Sequence, residues 1–92
     1  MNSQRRKDFE ILAQLLKETA KGSPKTRIRN LANLSQKSFK VYWSDLESRK
    51  LIRISEESNH LKLYGVTESG QAFLRLLEDM VKIWQENDKK AS

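Results

Sequence analysis

Apolar and polar positions along this chain change their period several times, and each change marks an element. Phe9, Leu12 and Leu16 recur at i, i+3 and i+7, with Ile11 and Leu15 widening the stripe. That spacing predicts a first helix over 7–20. Lys21-Gly22 ends it, because glycine takes the left-handed position past a helix C-terminus without a Cβ penalty. Ser23 and Pro24 then read as the N-cap and first helical residue of a short second helix over 24–32, with Ile28, Leu31 and Ala32 inward. Asn33-Leu34 supplies a turn, and Ser35 caps a third helix to about residue 49.

On a helical wheel, Trp43, Leu46 and Tyr42 fall within about 60° of Phe39. Lys37, Lys40, Val41, Ser44 and Ser48 take the opposite side, so one face is core and the other is basic and free of acid. Residues 51–54 and 61–64 alternate apolar and polar around a polar 55–60 tip, the pattern of a β-hairpin, with Gly65 as the candidate bulge. Thr67 caps a last helix to about residue 87, with Glu68 at its positive end. Along that helix Phe73, Leu77, Met80 and Trp84 are spaced 4, 3 and 4, as in a coiled-coil seam, with Leu74, Leu76, Val81 and Ile83 beside them. Two apolar flanks exceed what one small domain covers. A two-fold dimer through this helix follows, formed by Phe73, Leu77, Met80, Val81 and Trp84.

Composition narrows the chemistry. The 92 residues suffice for one domain: an arm at 1–6, a body at 7–66, a dimerisation helix at 67–88 and a frayed tail at 89–92. There is no cysteine, and the single histidine, His60, stands alone at the hairpin tip. With no Gly-rich phosphate loop and no His/carboxylate metal spacing, the inventory predicts no enzyme, no metal and no cofactor. No apolar run approaches a membrane span and no secretory signal is visible, so the expected setting is cytoplasmic.

The net charge of +6 is unevenly spread. Residues 1–54 hold 13 Lys/Arg against 5 Asp/Glu, while residues 55–92 hold 5 against 7. Between Glu18 and Asp45 no acid occurs. A one-sided basic field of this kind fits a polyanion.

The order helix, helix, turn, helix, hairpin, helix is that of a winged helix-turn-helix: mainly α with a small hairpin, and here a C-terminal helix making an antiparallel dimer contact. The sequence also resembles the archaeal winged-helix family with a dimerising C-terminal helix, which includes chromatin-associated and plasmid-encoded proteins related to PadR-type regulators. The specific pieces are KTRI at 25–28, ANLS at 32–35 and the T-E-x-G turn at 67–70. The resemblance implies that Lys25, Thr26 and Arg27 are the basic residues of the second helix and that 35–49 is the recognition helix. Lys50 stands where many members carry glycine, and Glu56 and Glu57 stand where wings often carry Lys or Arg.

From these features the expected partners are double-stranded DNA and a second copy of the chain, with higher assembly on DNA and a protein adaptor as further partners, and no membrane. Lys25, Arg27 and Arg29 suit phosphate oxygens beside a helix start. Ser35, Gln36, Lys37, Lys40 and Ser44 suit base edges, and Val41 a thymine methyl. On the wing, Arg53, Lys62 and His60 are the candidates. A nucleoid-associated transcriptional regulator is the leading expectation. The alternatives are a chromatin-like or plasmid-partition protein that spreads on DNA, and a module that binds only protein.

Overall fold

A computed structural model describes residues 7–91 as four helices and one antiparallel hairpin. The elements are α1 (Asp8–Ala20), α2 (Lys25–Leu31), α3 (Gln36–Ser48), β1 (Ile52–Glu57), β2 (Lys62–Val66) and α4 (Glu68–Ala91). One core gathers Ile11, Leu15 and Leu16 of α1, Ile28 of α2, Phe39, Trp43 and Leu46 of α3, Ile52 of β1, and Leu74 and Leu77 of α4. Buried Thr19 satisfies its hydroxyl by donating to the Leu15 carbonyl at 2.6 Å. No helix among the described residues is long and apolar enough to cross a membrane.

Gly22 closes α1 at φ +77°, its N–H donating to the Thr19 carbonyl at 3.0 Å. The next residue departs from expectation. Ser23 is not an N-cap: it is buried and extended, and its carbonyl accepts from the Tyr64 N–H at 2.9 Å. Pro24 therefore moves into the cap position, outside the helix. Leu31 also departs, being 45% exposed. With Ile28 and Ala32 setting the inward line of so short a helix, Leu31 lies about 100° round from Ala32.

Ser35 does cap α3, its hydroxyl oxygen accepting from the Ser38 N–H at 3.1 Å. The helix ends without a glycine because Lys50 itself takes the left-handed conformation, φ 58°. Its N–H reaches the Glu47 carbonyl, and the Leu51 N–H reaches Leu46, both at 3.0 Å.

The hairpin is longer on its first strand than its alternation predicts. β1 continues through Glu57, so Glu56 and Glu57 are strand residues and the tip contracts to 58–61. The bulge is on the strand opposite Gly65. Ile54 pairs with Tyr64 and Glu56 with Leu63, leaving Ser55 as the extra residue. Its hydroxyl donates to the Leu63 carbonyl at 3.2 Å, and a Cβ on Gly65 would stand 3.4 Å from the Ser55 Cβ.

Thr67 caps α4, accepting from the Gly70 N–H at 3.0 Å. It also fastens α4 to the end of α3: its hydroxyl donates to the Lys50 carbonyl at 2.7 Å, and its N–H to Leu51 at 3.0 Å. The helix runs through Ala91, so the backbone at 87–91 is helical and not a frayed tail. Phe73, Leu77 and Val81 turn toward the body, whereas Leu76, Met80, Ile83 and Trp84 remain exposed.

Candidate functional site

The third helix presents one face to the core and another to solvent, as its wheel requires. Lys37, Lys40, Val41, Ser44 and Ser48 are all exposed, and Val41 is 61% exposed although apolar. An aliphatic side chain held in water between two ammonium groups has no packing role in this protomer. It suits a surface that becomes covered.

Beside that face, α2 and α3 enclose a cleft of about 380 Å³. Lys25, Thr26 and Arg29 line it from α2, Gln36, Lys40 and Ser44 from α3, and Phe39 and Trp43 form its floor. The floor is rigid, since Phe39 stacks on Trp43 at 5.1 Å and Tyr64 meets Trp43 edge-on at 5.0 Å. The Lys25 Nζ lies 5.8 Å from the Trp43 ring centroid, within cation–π range, so its charge is held over the cleft. Arg29 is half-buried and donates from Nη1 to the Leu34 carbonyl at 3.2 Å, bracing the α2–α3 turn while lining the same cleft. Glu47, at the far end, is the one acid among the lining residues.

A second cleft, of about 400 Å³, lies between the start of α2 and the wing. It brings Lys62 and His60 beside Lys25 and Thr26, and holds Glu57, the cross-strand partner of Lys62. Arg27 and Arg53 are exposed but line neither cleft. Ser35 stands exposed at the α3 N-terminus with its oxygen engaged in the cap. Of the sequence-predicted residues, then, Lys25, Thr26, Arg29, Gln36, Lys40 and Ser44 share one concave surface. Lys37 and Val41 stand on the adjoining outer face of α3, and Lys62 adjoins from the wing. Arg5 and Arg6 of the expected arm lie outside the described residues.

On α4 the placement divides the expected dimer residues. Leu77 is buried, and Phe73 and Val81 are partly buried against the core. Met80 and Trp84 are exposed, and with Leu76 and Ile83 they make a row along the free side. Leu76, Met80, Ile83 and Asn87 follow the same 4, 3, 4 spacing as the stripe singled out from sequence, on a neighbouring face.

Sequence reasoning missed two contributors here. Glu47 was legible, lying about 80° from Phe39 on the flank that carries Gln36 and Lys40. The hydrogen bond from the Tyr42 hydroxyl to Asp8 Oδ1, 2.8 Å, joins residues 34 apart and left no local signal. Among the described residues no group of His, Cys, Asp and Glu could hold a metal ion.

A family model described as winged helix-turn-helix matches residues 5–85 of the chain. Among solved structures, Sso10a-2, a DNA-binding protein from Sulfolobus solfataricus, is 25% identical with a TM-score of 0.76, covering 94% of this chain and 88% of that one. A MepR mutant from S. aureus bound to an oligodeoxyribonucleotide is 17% identical with a TM-score of 0.63, covering 89% of this chain and 61% of that one. The PcaV transcriptional regulator from Streptomyces coelicolor is 18% identical with a TM-score of 0.66, covering 84% and 58%. With the last two, the likeness is one of fold. No curated protein matches the sequence.

Proposed function

This chain belongs to the winged helix-turn-helix family, and on that premise we propose that it is a homodimeric double-stranded DNA-binding protein acting as a transcriptional regulator. The observation that carries the reading is the exposed face of α3, where Lys37, Lys40, Val41 and Ser44 stand clear of every other element beside a cationic cleft. In this reading α3 enters the major groove. Lys37 and Lys40 reach guanine acceptors, Gln36 and Ser44 other base edges, and Val41 a thymine methyl. Lys25, Thr26, Arg27 and Arg29 hold the phosphate backbone beside α2, with Ser35 at the α3 start and Lys62 and Arg53 from the wing. The 25% identity to an archaeal DNA-binding protein supports the DNA partner. With the KTRI block, it also supports a place among archaeal PadR-like members. The hydrogen-bonding side chains on α3 support a regulator that distinguishes sites.

Dimerisation in this reading uses the Leu76–Met80–Ile83 row with Trp84, packed antiparallel on its copy, while Phe73, Leu77 and Val81 serve mainly the protomer. Two α3 helices about 34 Å apart would then meet successive major grooves of a palindromic site.

Titration of a fluorescent duplex at several salt concentrations tests the proposal. The expected log–log slope is about −0.9 per phosphate neutralised, and a selected site should outcompete its scrambled version. A response that is flat in salt would overturn DNA binding. A footprint that lengthens with protein concentration would replace the regulator with a spreading, chromatin-type or partition protein.

A further inference from the structure

The first turn of α1 lies between the two surfaces on which that reading depends. Asp8 accepts from the Tyr42 hydroxyl of α3 at 2.8 Å. Tyr42 sits on the flank of α3 away from the α2 cleft, so the bond holds α3 from its other side. The residues on either side of Asp8 turn to α4. The Lys7 Nζ lies 5.2 Å from the centroid of the Trp84 ring, and Phe9 meets that ring edge-on at 5.8 Å. Trp84 adjoins exposed Ile83 and Met80.

A second tie between the same helices lies at the opposite end of α4, where Thr67 bonds the Lys50 and Leu51 carbonyls that close α3. From Thr67 to Trp84 is about 25 Å of helix at 1.5 Å per residue. One tie would leave α4 free to swing relative to α3. Two ties this far apart set the angle.

We propose that the Lys7-Asp8-Phe9 turn is a positioning element that fixes the angle between α3 and α4, and thereby sets the half-site spacing the dimer accepts. Asp8 and Tyr42 touch no base in this scheme. They act through the orientation of α3, and the proposal rests on the dimeric DNA-binding reading above. A small rotation at the α1 turn moves one reading helix relative to its twin, and one base-pair step is about 3.4 Å along the duplex axis.

The test is selection of sites from a random duplex library, with the full chain and three variants. Tyr42→Phe and Asp8→Ala remove the hydrogen bond. Asp8→Asn removes the charge but keeps an acceptor oxygen. Circular dichroism and sedimentation confirm that each variant is folded and shares the wild-type assembly state. The expected result is that wild type and Asp8→Asn select one half-site spacing, discriminating against neighbouring spacings by about tenfold. Tyr42→Phe and Asp8→Ala should accept spacings one base pair wider and narrower within about threefold, with an unchanged half-site sequence. If wild type selects paired half-sites and both bond-removing variants keep its spacing, the proposal falls and the dimer reading stands. If both Asp8 variants simply bind every duplex more tightly while Tyr42→Phe behaves as wild type, Asp8 acts only as a charge and the proposal falls. A wild type that selects no paired half-sites overturns the dimer reading, and this proposal with it.

Discussion

Gly70 lies inside the first turn of α4, where ordinary helix propensity says alanine should be better by about 1 kcal/mol. The packing says the reverse. A Cβ at Gly70 would overlap the carbonyl oxygen of Leu51, with the Leu51 carbonyl carbon at 3.0 Å and the Val66 Cβ at 3.3 Å. The Leu51 atoms are backbone and have little freedom, because that carbonyl accepts the Thr67 N–H at 3.0 Å. To admit the methyl, the start of α4 must move off β1 by about 1 Å to restore van der Waals separation. That displacement lengthens the Thr67 bonds to Leu51 and Lys50, each worth about 1 kcal/mol, and loosens buried Leu74 one turn further on. Overpacking of this kind costs about 1–3 kcal/mol before lost hydrogen bonds are counted. Against the propensity gain, Gly70→Ala should destabilise the protein by about 2–4 kcal/mol, which for a chain of this size lowers the melting temperature by roughly 10–25 °C. Thermal and urea unfolding followed by far-UV circular dichroism measure it. A variant as stable as wild type, or more so, would mean that propensity outweighs the contact and that α4 is not seated tightly on β1.

Ser35→Ala removes the oxygen that caps α3 and should cost about 1 kcal/mol in urea unfolding; no loss would show that the cap contributes nothing. Lys37→Ala and Lys40→Ala together should flatten the log–log salt dependence of duplex binding by about 0.9 for each phosphate contact removed, whereas loss of site preference at an unchanged slope would assign both lysines to bases alone. Met80→Asp with Ile83→Asp places two charges on the exposed row of α4 and should shift sedimentation from dimer to monomer; an unshifted dimer would move the interface elsewhere.

Elements marked by a chemical signal at their ends were legible without coordinates. Ser35 and Thr67 are caps because a side-chain oxygen satisfies an orphan N–H, and that logic is local. Ser23 carried the same signal but did not become a cap, since its backbone pairs with Tyr64, a partner invisible to any local window. The strand extension through Glu57 was hidden in a similar way: exposed polar residues on a free hairpin face break the alternation that marks a strand. On α4, two stripes of the same spacing lie side by side, one through Phe73 and Leu77 and the other through Leu76 and Ile83. Period alone does not tell which stripe faces the body; the position of α1 decides. The cationic surface was legible as charge, because solvated lysines need no partner to be counted. Its organisation was not, since the floor of Phe39, Trp43 and Tyr64 draws on two elements.

The pairing of Ser23 with Tyr64 also dictates how the molecule can be dissected. The linker between α1 and α2 serves as a short third rung beside β2, so the wing is completed by a segment about forty positions upstream. A fragment beginning at α2 would retain α3 and both wing strands, yet expose the unpaired outer edge of β2 and leave the Tyr64 N–H without its acceptor. Minimal versions of this domain therefore have to start before Gly22. Circular permutation has a better site at 58–61, where the tip is exposed and closed by a single Ser58–Leu61 hydrogen bond.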